Sequence, residues 1–277
     1  MKLLFIGGTG LISSACAELA IQGGHELTLL NRATSRKHIP PAGARVITAD
    51  VHSESAQIAH VLGGEHFDAV VDFIAFTVRD IERDLAIFRA SAGQFVFISS
   101  ASAYQKPPRD YLITEETPLE NPYWQYSRDK IACEGRLMQA FREESFPVTI
   151  VRPSLTYGPS QIPLCVNSWA HPWTIVDRMQ RGGKVIVPGD GTSLWVVTWN
   201  TDFARGLVGL LGKPEAIGEV YQITSDEVRT WDQLHIEAFH ILGLQPNIVH
   251  VPADLIAAYW PHALGSLIGD KINSVVF

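Results

Sequence analysis

Residues 2 to 20, KLLFIGGTGLISSACAELA, constrain what this chain can fold into more than any other stretch. Lys2 to Ile6 is an apolar run of strand length, Gly7-Gly8-Thr9-Gly10 is a turn open only to small residues, and Leu11, Ile12, Ala15 and Leu19 then recur at helical spacing. A strand that passes through glycines into a helix aims the first free N–H groups of that helix at one point, where a phosphate is stabilised. Gly7 and Gly10 let such a group approach the backbone with no Cβ in the way. The spacing G-x-x-G-x-x-S puts Ser13 where a third glycine often packs helix against strand. An ordinary tight turn is the plain alternative. The position at the N-terminus and the switch from strand to helix favour a dinucleotide pyrophosphate.

The following pattern extends the unit. Gly23-Gly24 ends the first helix, and Glu26 to Leu30 is a second strand. Arg45 to Ala49 is a third strand, Ser53 to Leu62 a helix, and Ala69 to Ile74 a fourth, nearly all-apolar strand. Thr77-x-x-Asp80 reads as a capping box for a helix to Ala90, and Phe95 to Ser99 is a fifth strand. This alternation predicts an α/β fold, a Rossmann-like doubly wound parallel sheet, with ligand at the carboxyl ends of its strands. A Rossmann domain over 1–155 and a smaller C-terminal substrate-binding subdomain over 156–277 are expected, with 197–212 packing back on the first. Asp202 is expected to cap a helix from Phe203 to Leu211.

The residues after the second strand bear on the cofactor. A carboxylate there would bind an adenosine ribose hydroxyl and repel a 2′-phosphate, but this chain has Asn31-Arg32, with Arg36 and Lys37 close behind. A guanidinium pairs with a phosphate bidentately, so NADP(H) is favoured over NAD(H), with a solvated basic loop as the alternative. Asp50 is placed either to accept from the adenine amino group or to cap the next helix.

Ser99 and Ser100 end the fifth strand at the face where the cofactor is expected, with Ser102 close behind. Downstream, Tyr126 and Lys130 are four apart in a helical segment and project from one face. A phenol of pKa near ~10 is a poor base, but a nearby ammonium favours its ionised form. Ser100, Tyr126 and Lys130 are thus the candidate catalytic set: the serine orients a substrate oxygen, the tyrosine exchanges its proton, and the lysine holds ribose hydroxyls.

These segments resemble the extended short-chain dehydrogenase/reductase family, in its NAD-dependent epimerase/dehydratase branch. The resemblance rests on GGTGLIS at 7 to 13, FVFISSASAY at 95 to 104, YSRDK at 126 to 130, VRPSLTYGP at 151 to 159 and PGDGTSLW at 188 to 195. It implies cofactor contacts from Gly7, Thr9, Gly10, Leu11, Ile12, Arg32, Asp50, Ile74 and Ala75, and nicotinamide contacts from Pro153 and Leu155. It implies the activity of an NAD(P)-dependent oxidoreductase or epimerase acting at a secondary alcohol or ketone of a small, sugar-like substrate. The family's dehydratases carry an Asp-Glu pair where this chain has Ala101-Ser102, which disfavours sugar 4,6-dehydration. Where sugar-nucleotide members carry an arginine for the diphosphate, this chain shows Trp195, which favours a neutral substrate.

Trp169, Trp173, Trp195 and Trp199 crowd the expected substrate subdomain and, with Ser102, are candidate substrate contacts, the alternative for the tryptophans being subdomain core. The chain ends on Val275-Val276-Phe277 where members of the family continue, so truncation is expected. Seven surplus negative charges and no dense basic run argue against nucleic acid, and no apolar stretch reaches membrane-span length. The expected partners are a small-molecule substrate and, as one option, a second copy in a homodimer, with no nucleic acid and no membrane. The expected location is the cytoplasm. Cys16, Cys133 and Cys165 show neither disulfide nor zinc spacing, and no metal site is expected. Two other classes stay open: a non-catalytic cofactor sensor or scaffold, and an RNA-associated protein, since the LLNR ending of the second strand is similar to chloroplast stem-loop-binding relatives.

Overall fold

The computed structural model describes residues 1–32, 38–52 and 55–277; Arg36 and Lys37 lie outside the described residues. The elements in chain order are β1 (Lys2–Ile6), α1 (Leu11–Gln22), β2 (Glu26–Asn31), β3 (Arg45–Thr48), α2 (Ser55–Val61), β4 (Ala69–Asp72), α3 (Val78–Phe88), β5 (Phe95–Ile98), α4 (Gln125–Glu144) and β6 (Val148–Pro153). Then follow β7 (Leu155–Tyr157), α5 (Thr174–Gln180), β8 (Val185–Pro188), β9 (Leu194–Trp199), α6 (Asn200–Leu210), β10 (Val220–Ile223), β11 (Val228–Thr230), α7 (Trp231–Ile241), β12 (Ile248–Val251) and α8 (Ala253–Tyr259).

Among the described residues, seven parallel strands form one sheet in the order β10-β6-β5-β4-β1-β2-β3. The chain leaves β1 toward β2 and β3 on one side, then returns to build outward from β4 on the other. That reversal puts the topological switch point beside β1, where open α/β sheets bind ligands. Alternate residues of the strands feed opposite faces. Leu4 and Ile6 join Phe95, Phe97, Val148 and Ile150 under α2, α3 and α4. Leu3 and Phe5 join Leu27, Leu29, Val96 and Ile98 under α1 and α6. The sheet is covered on both faces, which is why its strands read as continuous apolar runs.

The chain divides into two compact units. Unit 1 comprises Met1–Ala101, Asp129–Pro153 and Trp199–Ile223; unit 2 comprises Ser102–Arg128, Ser154–Thr198 and Thr224–Phe277. The division is thus interleaved, with 102–128 outside the sheet unit and β10 within it. Unit 2 is built on the three-stranded array β11-β9-β7 and the pair β12-β8, with Leu164, Ile175, Met179, Val185 and Phe239 as one core cluster. Asp202 does not start its helix. Trp199 holds the extended N-cap position of α6, and Asp202 lies inside the first turn, paired with Arg205 at 2.6 Å. Cys16, Cys133 and Cys165 are free thiols, all buried.

Candidate active site

The glycine turn closes by local chemistry. Gly7 has φ +83°, and a Cβ there would lie 2.4 Å from Ile74 Cγ2, so any side chain would meet both strain and collision. Its N–H donates to the Leu30 carbonyl at 3.0 Å, tying the turn to the end of β2. Ser13 does more than replace a small residue. Its hydroxyl donates to the Gly7 carbonyl at 2.7 Å and accepts the Gly10 N–H at 2.8 Å, pinning both ends of the turn to the first turn of α1.

A cavity of about 340 Å³ opens at the carboxyl ends of β1 to β4. Gly7, Thr9 and Gly10 line it from the turn, Asn31 and Arg32 from β2, Asp50 and His52 from β3, and Ile74 and Phe76 from β4. Its size is in the range of small-molecule and cofactor pockets. Seven of the residues expected at a cofactor, Gly7, Thr9, Gly10, Asn31, Arg32, Asp50 and Ile74, meet here. Asp50 has a turn-closing role as well, accepting the His52 N–H at 3.0 Å. Leu11, Ile12, Ala75, Ser99, Pro153 and Leu155 are not among its walls. Leu11 and Ile12 open α1, Ala75 is fully buried next to Ile74 in the chain, Pro153 closes β6, and Leu155 stands in unit 2.

Lys130 is 2% exposed. Its ammonium donates to the carbonyls of Ala75 and Ile98, each at 2.7 Å, and lies 4.7 Å from the rings of both Phe76 and Phe97. Desolvation in this dry setting pulls its pKa down to about 8, and the charge of Asp72 opposes that shift. Ser99 is 2% exposed. Its hydroxyl donates to Glu134 Oε1 at 2.5 Å, and Glu134 forms a bidentate pair with Arg152 at 3.0 and 2.6 Å, all three residues being buried. Ser100 follows this anchored residue.

In unit 2, Tyr126 stands one helical turn before Lys130 on α4, with its ring 4.9 Å from that of Trp124. The backbone around Gly265 presses on that indole so closely that a Cβ would fall 2.3 Å from Trp124 Cδ1. Lys271, itself buried, brings its ammonium 6.0 Å from the Trp124 ring. Ser102 is a buried anchor: Ser127 donates to its hydroxyl at 2.8 Å, and Asn121 Nδ2 bridges its carbonyl to that of Gly269.

The four tryptophans do not share one environment. Trp195 is 3% exposed and stacks on Trp231 at 5.2 Å, a core position. Trp169 and Trp173 are 60% and 58% exposed, and Trp199 belongs to unit 1 at the start of α6. Sequence reading missed Asp72, His52, Glu134 and Lys271. Asp72 had a usable signal, a lone carboxylate ending an otherwise apolar strand; the others sit among ordinary polar residues.

A glycine turn at the switch point, a cavity across the strand ends and a buried lysine define a dinucleotide-binding α/β protein of the short-chain dehydrogenase kind. The profile of the NAD dependent epimerase/dehydratase family matches residues 3–224, and the chain belongs to that family. It is 24% identical over 259 residues to 2′-dehydrokanamycin reductase of Streptomyces kanamyceticus, covering 93% of this chain and 71% of the relative. It is 25% identical over 265 residues to the chloroplast stem-loop binding protein of 41 kDa b of Arabidopsis thaliana, covering 90% of this chain but only 65% of that relative's length. Among solved structures, a dTDP-glucose 4,6-dehydratase double mutant from Streptomyces venezuelae with NAD and DAU bound aligns with TM-score 0.78 at 21% identity, covering 100% and 88% of the two chains. UDP-glucuronic acid 4-epimerase from Bacillus cereus, in complex with UDP-glucuronic acid and NAD, aligns with TM-score 0.76 at 18% identity, covering 100% and 90%. No helix among the described residues is long and apolar enough to cross a membrane.

Proposed function

We propose that the chain is an NADP(H)-preferring oxidoreductase or epimerase that works at a secondary alcohol or ketone carbon of a small, sugar-like substrate in the cytoplasm, alone or as a homodimer. The observation that carries this reading is the cavity, with an obligatory glycine at one end and Arg32 in place of a carboxylate at the other. The glycine turn and the N-terminus of α1 would hold the pyrophosphate. Asn31 and Arg32 would hold the adenosine end, where a guanidinium pairs with a 2′-phosphate and leaves a bare ribose unrewarded. The bound nicotinamide would supply the hydride donor or acceptor.

The residues of this chain supply the rest. Lys130, anchored by two carbonyls, would hold ribose hydroxyls and lend positive charge to the Tyr126 phenol one turn away on α4. Tyr126 exchanges a proton with the substrate oxygen, and Ser100 hydrogen-bonds that oxygen to orient it. The test is a fluorescence titration of the purified protein with NADPH and NADH. NADPH should bind at least about tenfold more tightly, the scale of one lost charge-assisted contact of roughly 1.5 to 3 kcal/mol, and Arg32→Asp should reverse the order. Equal or tighter binding of NADH overturns the preference.

A further inference from the structure

Five charged side chains are buried together between β4, α3 and α4, and four of them have no part in the chemistry above: Asp72, Asp80, Arg83 and Asp84. Asp72 closes β4 and is wholly buried. One of its oxygens accepts the N–H groups of Ile74 at 2.6 Å and Ala75 at 2.8 Å, and the other accepts Arg83 Nη2 at 3.1 Å. The carbonyl of that same Ala75 accepts the Lys130 ammonium. A single peptide segment is thus gripped on its N–H side by a carboxylate and on its carbonyl side by the active-site lysine.

We propose that Asp72 is the positioning residue of Lys130: its carboxylate fixes the turn that binds the ammonium and supplies the buried negative charge that keeps the ammonium protonated. The other groups facing Lys130 are already committed. Asp80, from α3, accepts the N–H groups of Phe76 and Thr77 and pairs with Arg83, with His52 at 3.4 Å on its outer side. Glu134, one turn along α4, is held by Arg152 and Ser99. Cys133 is a neutral thiol, pushed up to about 12 by burial.

Three carboxyl groups face two buried cations in this cluster, and Asp84 is the one whose surroundings favour the protonated form. It is wholly buried, one of its oxygens takes both Arg83 Nε and Nη2, and the other meets no donor. Burial first, and the Asp72 charge second, hold its pKa well above the usual range. With Asp84 neutral, Asp72 and Asp80 match Arg83 and Lys130, two charges against two. Removing the Asp72 charge leaves the dry cluster with one surplus cation, which is relieved most readily by loss of the Lys130 proton.

The proposal rests on Lys130 being the active-site lysine, but its test needs neither cofactor nor substrate, so failure here is separable from failure of the cofactor assignment. The protein is labelled at lysine Cε, Lys130 is assigned by its absence in Lys130→Met, and its titration is followed by NMR. The wild-type midpoint is expected near 8. Asp72→Asn should lower it by about one pH unit, a roughly tenfold loss of proton affinity, whereas Asp84→Asn should leave it in place, because the amide replaces a group already uncharged. An unchanged midpoint in Asp72→Asn overturns the proposal, as does an Asp84→Asn shift as large as that of Asp72→Asn. Should Asp72→Asn fail to fold, the wild-type protein labelled at aspartate Cγ decides. One carboxyl must stay protonated at pH 7 and a second must respond at the Lys130 midpoint; ionised signals from every aspartate at pH 7 overturn the proposal.

Discussion

Tyr126 and Lys130 stand four residues apart on α4, yet their surroundings differ. The lysine is enclosed by carbonyls and phenylalanine rings, while the tyrosine leans on Trp124, itself pressed by the backbone near Gly265. Their variants should therefore separate. Tyr126→Phe removes the proposed proton carrier alone and should lower kcat about 10² to 10⁴-fold with NADPH affinity within about twofold of wild type, as read by steady-state rates beside a binding titration. Lys130→Met should impair both. A Tyr126→Phe enzyme of wild-type rate refutes the proton-transfer role. At this scale the sequence showed residue types in order but not their orientation. Ser13 reads as a stand-in for glycine, yet it is a two-ended clasp of the turn; Trp195 reads equally as a substrate contact or as subdomain core, and it lies buried against Trp231 and Lys106. Orientation depends on which neighbours arrive from distant segments, and no local pattern records them.

At the scale of elements, periodicity was a dependable guide. The first strand, the glycine turn, α1 and its Gly23-Gly24 end, and the alternation through β5 all appear where the apolar runs place them. The ends moved where a side chain intervened. β4 stops at Asp72 because the carboxylate takes the amides of Ile74 and Ala75 that would have continued the ladder. The start of α3 holds as expected: Asp80 reaches back to the N–H and hydroxyl of Thr77 and to the N–H of Phe76. Burial opposes ionisation of Asp80, but these hydrogen bonds and the nearby Arg83 outweigh it and hold its carboxyl below the usual range. A carboxyl so held stabilises the fold above its unfolded-state pKa, and that contribution disappears as pH falls through the lower folded value. Asp80→Ala should cost about 1 to 2 kcal/mol at pH 7 by urea denaturation, the worth of a helix cap. The gap from wild type should begin to narrow near pH 4, where an aspartate ordinarily takes up its proton, and close as pH falls through the lower folded value. A gap that persists unchanged at low pH would show that packing, not charge, is lost.

At the scale of the whole chain, the interleaving was hidden. A cut near residue 155 follows the order of motifs, but the structure assigns Ser102–Arg128 to unit 2 and Trp199–Ile223 to unit 1. β10 explains the second assignment, since it completes the sheet beside β6, a pairing between segments some seventy positions apart in the chain. Nothing in the composition of either segment announces its destination. The placement of the cysteines gains meaning from the same division. Cys16 lies under one face of the large sheet, Cys133 under the other, and Cys165 in unit 2. Burial pushes the Cys133 and Cys165 thiols up to about 12 and that of Cys16 higher still. A thiolate is the form that reacts, so a disulfide reagent at pH 8 should find none of the three in the native protein and all three in denaturant. One equivalent consumed at once in native buffer would contradict that burial. Under mildly destabilising conditions, each labelling event then marks the opening of the region around one cysteine. Three side chains with no part in the chemistry thereby form a built-in clock, able to tell whether the two units open together or in turn.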